Sequence, residues 1–203
     1  MTVAEKLNQW TDEFGFQKKV DDQNLDLSPQ SIETLQLNIT KMCNQQCFHC
    51  HVDSSPRRKE AMDDAGIEQM IKILSENDRI KALDITGGAP ELHPRFKDLV
   101  VAARKLDKTV MVRHNLTVQM DPHPKTGESL ADLPEFFREQ GVEVWSSLPY
   151  YQEFFTDKQR GDGVFKKSIA ALQRLNEVGF GVEGSGQLLN LIYNPVGAYL
   201  PPD

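Results

Sequence analysis

Short apolar runs alternate along the chain with stretches in which apolar residues recur every three or four positions. The runs are rich in β-branched and aliphatic residues and end at polar or glycine positions, a pattern that predicts buried strands. They cover 35–40, 82–86, 109–113, 142–146 and 188–193.

The segments between these runs carry helical periodicity. A spacing of three and four residues puts apolar side chains on one helix face, the face that packs against a sheet. This spacing predicts helices around 67–74, 96–103 and 165–175. A further helix is predicted over 132–140, with Asp132 as its N-cap and Pro134 in its first turn.

The alternation of strands and helices predicts an α/β fold with a mostly parallel sheet and right-handed crossovers. A doubly wound sheet and a part of a β/α barrel both fit this pattern. Residues 1–34 are polar and loop-like, and we expect them to form an N-terminal extension to a core domain over 35–203. A barrel that stops after the fifth strand has an exposed edge, so we expect this chain to be part of a longer protein.

Charge and composition narrow the class of partner. The 203 residues are 26% charged and 39% hydrophobic, a soluble globular profile, and the net charge is −7. Nucleic acids and anionic membranes attract clustered positive charge, so neither is expected as a partner. The short basic run Arg57-Arg58-Lys59 is followed by acidic residues and is expected to be a solvated loop. We find no pattern of a secretory signal or a membrane span.

Polar and glycine-rich segments follow each of the five predicted strands. In parallel β/α folds, function lies at the carboxyl ends of the strands, so these segments are expected to outline one site. They are the cysteine cluster 43–50, the glycine segment 87–91, His114-Asn115, Ser146-Ser147 and Asn194-Pro195.

The three cysteines of the chain have the spacing C-x3-C-x2-C at Cys43, Cys47 and Cys50. Thiolates favour iron–sulfur clusters and zinc, and three of them leave one iron of a [4Fe–4S] cluster free to bind a small molecule. The alternative is a Cys3His zinc knuckle that uses His49 or His51. Three clustered thiols do not form a full set of disulfides, which indicates a reducing, cytoplasmic setting.

The cysteine spacing directly after the first strand resembles the signature of the radical S-adenosylmethionine (SAM) enzymes. GGAPE, after the second strand, resembles the segment of that family that holds the methionine end of SAM. The resemblance implies a [4Fe–4S] cluster on the three cysteines and SAM as a second cofactor. Gly87 and Gly88 would let the backbone approach SAM and offer it free N–H and C=O groups. Glu91 would take the charge of the amino group.

Further SAM contacts follow from the same resemblance. Asn115 and Ser147 stand where the family contacts the ribose and the carboxylate, although strand-end residues also serve as ordinary hydrogen-bond partners. His49 stands where the family usually has an aromatic residue beside adenine; a histidine can stack there, titrate or donate a hydrogen bond. His114 is expected to be a packed or solvated histidine, and Arg57 a surface residue.

The implied reaction is reductive cleavage of SAM to methionine and a 5′-deoxyadenosyl radical, with an electron from a donor such as flavodoxin or ferredoxin. The implied fold is a partial TIM-like barrel with about five βα units, without its last strand and C-terminal domain.

A narrower resemblance covers roughly 35–200. CNQQCFHCHVDSSP, LDITGGAPELHP, RHNLTV and LNLIYNP are together similar to the arsenosugar-biosynthesis branch of the radical SAM enzymes. This resemblance implies transfer of the adenosyl group to a methylated arsenic species. Two alternatives stay open at this point, a radical SAM enzyme that modifies a peptide or small molecule and a non-catalytic, zinc-stabilised binding module.

Overall fold

The computed structural model describes residues 15–28 and 30–193, which fall into two units, Met1–Ile32 and Glu33–Asp203. The first unit contains a short helix, α1 (Phe16–Asp22), where the sequence predicted a loop. That prediction was wrong because it looked for an apolar stripe. Lys18 instead pairs with Asp22 one turn later at 3.0 Å, the kind of contact that supports a polar helix.

The second unit is built on one parallel sheet of five strands. The strands are β1 (Thr34–Asn38), β2 (Ala82–Thr86), β3 (Thr109–His114), β4 (Glu143–Ser147) and β5 (Leu189–Ile192). Each predicted strand is present, with bounds shifted by at most two residues.

The strand order decides between the two predicted architectures. The strands neighbour one another in chain order, β1-β2-β3-β4-β5, and every pair is parallel. A doubly wound sheet reverses its order at a switch point, whereas a β/α barrel continues in one direction. The fold is therefore a partial β/α barrel whose sheet is not closed.

Five helices belong to this unit. They are α2 (Asp64–Glu76), α3 (Phe96–Lys105), α4 (Leu133–Gln140), α5 (Glu153–Arg160) and α6 (Val164–Glu177). Four of them were predicted, and α5 was not, because it buries a single residue, Thr156, and has no apolar stripe. Two short 3-10 helices, Pro90–Leu92 and Leu116–Gln119, follow β2 and β3.

Asp132 lies at the N-cap of α4 as predicted, but its side chain does not make the hydrogen bond expected of a cap. Asp132 is the N-cap and Pro134 lies in the first turn. The Asp132 carboxylate accepts a 2.6 Å hydrogen bond from Lys97 Nζ on α3 and makes no capping bond to the backbone. The residue thus ties two helices together.

Alternation along the strands separates a core from a cavity. One face carries fully buried aliphatic side chains that pack against the helices, and burial of each stabilises the fold by about 1.5–3 kcal/mol. They include Leu83, Ile85, Val110, Val112 and Val144. The residues between them, with opposite side-chain direction, line the inside of the partial barrel.

Candidate functional site

A cavity of about 480 Å³ opens at the carboxyl ends of the strands. Its rim, as we call the loops after β1 and β2, consists of the cysteine loop 43–50 with Gly87 and Gly88. Its wall includes Asn115 and Ser147. The structure thus brings together eight of the nine predicted site residues; the ninth, Glu91, lies outside the lining. Asn194 and Pro195 fall outside the described residues.

The cysteine loop presents its three thiols in different surroundings. Cys43 is buried, whereas Cys47 and Cys50 are half-buried. Burial raises the pKa of Cys43 to about 12, and burial also raises the pKa of Cys47. Metal or cluster binding must therefore displace protons from these thiols, as is usual for thiolate ligands.

The donor set fits an iron–sulfur cluster. Three sulfur donors in one loop suit iron–sulfur chemistry, in which each cysteine binds a different iron. Among residues 15–28 and 30–193, no three His, Cys, Asp or Glu side chains converge on a point that suits one metal ion. A zinc knuckle requires such convergence, since each Zn–S bond is about 2.3 Å long. A cluster does not require it, so the three cysteines are compatible with a [4Fe–4S] group.

Arg160, the last residue of α5, supplies a positive charge beside the thiols. It lines the cavity, and burial lowers its pKa while Cys47, Cys43 and Cys50 act in the opposite direction. Its Nε atom is buried and has no hydrogen-bond partner within the described ranges. Sequence reasoning missed Arg160 because α5 itself was not predicted.

The cysteine loop and α5 are held together through the backbone. The N–H of Phe48 donates to the carbonyl of Gln159 at 3.0 Å. The Phe48 ring is 97% exposed, so of the two rings before Cys50 it is His49 that lines the cavity. Partial burial, followed by the charge of Arg160, lowers the pKa of His49. His49 therefore favours a neutral ring at the cavity wall.

The structure explains why positions 87 and 88 are glycine, and the explanation differs in part from the predicted one. Gly88 N donates to Thr40 O at 2.7 Å, so this N–H is not free for SAM. A Cβ on Gly87, whose φ is +150°, would lie 2.5 Å from Thr40 O, and a Cβ on Gly88 would lie 2.4 Å from Met42 O. The glycines let this segment press against the chain that leads into Cys43.

Glu91 is the predicted SAM ligand that the structure does not bring to the cavity. Its side chain is fully buried, and Oε1 accepts hydrogen bonds from His114 Nδ1 at 2.5 Å and from Asn115 N at 3.2 Å. The reason is the 3-10 helix that begins at Pro90 and turns Glu91 inward. Glu91 thus holds His114 and Asn115 in place at the end of β3. It contacts these two residues and does not line the cavity.

His114 is packed, one of the two predicted states. Its ring is enclosed between Glu91 and Gln119, whose Nε2 donates to His114 Nε2 at 2.7 Å, and it meets Phe137 edge-on. Arg57 is exposed, and Arg58 pairs with Asp53 and Glu60 on the outside of the cysteine loop. Both arginines match the predicted surface role.

The floor of the cavity carries a polar group that sequence reasoning also missed. We use "floor" for Gln36, Asp84, Arg113 and Trp145, which lie on β1 to β4. Arg113 donates from Nε and Nη2 to the buried Asp84 at 2.9 Å each, and Gln36 Nε2 donates to Asp84 at 2.7 Å. The Arg113 guanidinium lies 4.8 Å from the Trp145 ring centre.

Hydrogen bonds from Arg113 to Asp84 raise the pKa of Arg113. The signal that could have found the floor is the period of two: Gln36 and Asp84 each stand inside a strand between aliphatic neighbours, and Arg113 and Trp145 each follow a buried valine. A side chain next to a core-facing residue of the same strand points to the opposite face, here the barrel interior.

Comparison with known proteins places this site in a family. The model of the Radical SAM superfamily matches residues 37–194. This span covers well over half of the chain, so the chain belongs to the radical SAM superfamily. The cofactors of this family are a [4Fe–4S] cluster and SAM, as the resemblance implied.

Curated relatives share part of the chain. A probable GTP 3′,8-cyclase of Pyrococcus abyssi is 29% identical over 119 residues, which is 59% of this chain and 35% of that protein. The antilisterial bacteriocin subtilosin biosynthesis protein AlbA of Bacillus subtilis is 30% identical over 145 residues, 70% of this chain and 30% of that protein. The chain spans about a third of the length of these relatives.

Solved structures share the fold. Streptococcus suis SuiB bound to S-adenosylmethionine has a TM-score of 0.59 and 15% identity, over 86% of this chain and 36% of that chain. The enzyme anSMEcpe with bound AdoMet has a TM-score of 0.59 and 19% identity, over 80% of this chain and 43% of that chain. No helix of the described residues is long and apolar enough to span a membrane.

Proposed function

We propose that this chain is the SAM-cleaving core of a radical SAM enzyme. Cys43, Cys47 and Cys50 would hold the cluster, and the family's chemistry is an electron passed to SAM that breaks a carbon–sulfur bond. The observation that carries the proposal is that these cysteines share one cavity with Gly87 and Gly88, at the strand ends where β/α folds hold their sites.

The residues of the chain would bind, orient and shield SAM. His49, neutral and at the cavity wall, would lie beside the adenine ring. Gly87 and Gly88 would hold the methionine end, and Ser147, on β4, would contact the carboxylate. Arg160 would balance the negative charge of the thiolates.

Asn115 has less freedom to contact the ribose. Its amide donates both hydrogens inside the protein, to Cys43 Sγ and to Asn44 Oδ1. A ribose hydroxyl would have to donate to the remaining lone pair of Oδ1, because that atom already accepts from Thr117 Oγ1.

For the substrate, we propose a methylated arsenic species that receives the adenosyl group. The support is the narrower sequence resemblance, and two of its segments meet in space: Asn44 and Gln45 of CNQQC contact Thr117 of RHNLTV. The cavity is compact, which suits a small substrate. A flavodoxin or ferredoxin would supply the electron.

Peptide modification is the second candidate. Two relatives carry names of this kind, AlbA and the putative peptide biosynthesis protein YydG of Bacillus subtilis, the latter 27% identical over 84 residues. Here the radical would remove a hydrogen atom from a side chain of a partner peptide.

Anaerobic turnover separates these functions. The reconstituted chain is incubated with SAM and a chemical reductant, with and without dimethylarsinous acid, and the products are resolved by mass spectrometry. An arsenic–adenosine adduct that requires the arsenic compound supports adenosyl transfer. Formation of 5′-deoxyadenosine alone, unchanged by the arsenic compound, supports hydrogen abstraction. Intact SAM under all conditions, with a loaded cluster, contradicts the proposed function. The Cys47→Ala variant is the matched control.

A further inference from the structure

A closed hydrogen-bond web joins the cysteine loop to the segment after β3. Asn44 and Gln45, the first two of the three spacer residues after Cys43, donate from their side-chain amides to Thr117 Oγ1 at 2.8 and 2.9 Å. Asn44 Nδ2 also donates to Asp121 at 2.9 Å. The spacer of the cysteine motif is thus anchored to residues that lie 72 to 77 positions later in the chain.

The centre of this web fixes the orientation of the Asn115 amide. The Thr117 hydroxyl accepts two hydrogen bonds, so it has one hydrogen left to donate, and it donates it to Asn115 Oδ1 at 3.2 Å. Asn115 Nδ2 then faces the other way and donates to Asn44 Oδ1 at 2.6 Å and to Cys43 Sγ at 3.4 Å. A flipped amide would break all three contacts.

Cys43 is the thiol on which these contacts converge. It is buried, and its sulfur accepts from the Asn115 amide and from the backbone N–H of Gln45, both at 3.4 Å. Cys50 accepts one backbone N–H, from Ser54 at 3.3 Å. Among the side-chain hydrogen bonds found in the described residues, only Asn115 gives a cysteine sulfur an amide donor that a substitution can remove.

We propose that Asn115 is a positioning residue for the cluster and raises its reduction potential through the N–H···S hydrogen bond to Cys43. This inference rests on the proposed function, since it needs the cluster on the three cysteines. Hydrogen bonds to the ligand sulfurs are one of the means by which proteins set cluster potentials. An N–H dipole that points at the sulfur stabilises the reduced cluster more than the oxidised one, because the reduced cluster carries more negative charge.

The test measures the midpoint potential of the reconstituted, SAM-free chain by anaerobic titration followed by EPR. In Asn115→Leu, the donor is lost and the equilibrium constant for reduction is expected to fall about tenfold, which is about 59 mV for a one-electron couple. Asn115→Asp is expected to shift the potential further in the same direction, because it places an anion beside the sulfur. Phe48→Ala, a change in the cysteine loop at a ring that is 97% exposed, is the matched control and is expected to keep the wild-type potential.

A second variant tests the inference if Asn115→Leu loses its cluster. Thr117→Val preserves side-chain volume and removes the hydroxyl that orients the amide, so a smaller shift of the same sign is expected. A wild-type potential in Thr117→Val, or in an Asn115→Leu chain with full iron content, overturns the inference.

The affinity for SAM separates this role from a ribose contact. Wild-type potential with weakened SAM binding in Asn115→Leu would assign Asn115 to SAM and overturn the inference. A wild-type chain that binds no cluster under any reconstitution condition would contradict the proposed function. A chain with a responsive cluster and an unchanged potential in both variants would contradict this inference alone.

Discussion

The rim and the floor of the cavity are built by different means. The rim consists of loops that place cysteine sulfurs and glycine backbone at the strand ends, and it carries the cysteine and glycine segments in which the sequence resembles the family. The floor consists of side chains that alternate within the strands, with Arg113 held on Asp84 and stacked on Trp145. We propose that the two regions have different roles, in which the rim binds the cofactors and the floor contacts the substrate.

Removal of a rim ligand is expected to have the largest effect. Cys47→Ala takes away one of three sulfur donors, so the cluster is expected to be lost, with iron content below a tenth of the wild-type value. Iron and sulfide assays with visible absorbance check this. Phe48→Ala, one residue away with a ring that is 97% exposed, is the matched control and should keep its iron. Full iron content in Cys47→Ala would remove Cys47 from the ligand set.

Substitution of a rim glycine is expected to have the next largest effect. In Gly88→Ala the new methyl group would lie 2.4 Å from Met42 O, and backbone must move to admit it. We expect the free energy of unfolding to fall by about 3 kcal/mol, measured by chemical denaturation. Gly127→Ala, with a φ of +73° and no atom within 4 Å of the new methyl group, is the control and should lose about 1 kcal/mol. An unchanged free energy of unfolding in Gly88→Ala would show that the neighbouring backbone moves to admit the methyl group without cost.

A substitution in the floor is expected to reduce the use of the substrate and to leave the chemistry of the cofactors unchanged. Arg113→Gln leaves the buried Asp84 with fewer partners, so we expect a loss of about 2 kcal/mol in the free energy of unfolding. Arg113→Lys keeps the charge without the paired hydrogen bonds and should lose less.

The cluster and SAM cleavage should survive in Arg113→Gln, while the yield of substrate-derived product per SAM cleaved should fall. Product analysis of anaerobic turnover checks this. A variant that loses iron together with activity would break the distinction between rim and floor.

The outer side of the cysteine loop should show the smallest effect. Hydrogen bonds from the backbone amides of Glu60 and Lys59, and from Arg58, hold the pKa of Glu60 at about 2. A depressed folded-state pKa means that this stabilisation is present at neutral pH and is lost as pH falls from the ordinary value of 4.5 through 2. Glu60→Gln should therefore flatten the pH dependence of unfolding in that window. An unchanged pH profile would show that these exposed contacts contribute nothing measurable.

The sequence predicted the rim better than the floor for a physical reason. Cysteine spacing and paired glycines are local signals, since a few neighbouring residues carry the whole constraint. The sheet was predictable for the same reason, because each strand lies in a short run rich in β-branched and apolar residues that ends at a polar or glycine position.

The floor depends on which strands become neighbours. Arg113 and Asp84 are in contact only because β2 and β3 are neighbours in the sheet with this register. The sequence of either strand alone does not predict this contact. Arg160 was missed because the two phenylalanines of α5 are neighbours in sequence and no apolar residue follows them at a spacing of three or four. The inward direction of Glu91 was not predicted because the 3-10 turn at Pro90, which directs it inward, has no periodicity of its own.

The most direct test of the central claim is the EPR spectrum of the reconstituted and reduced chain with and without SAM. We predict about four iron atoms per chain and a [4Fe–4S] signal whose shape changes when SAM binds the iron that has no cysteine. A colourless chain with one zinc ion and no EPR signal would contradict it.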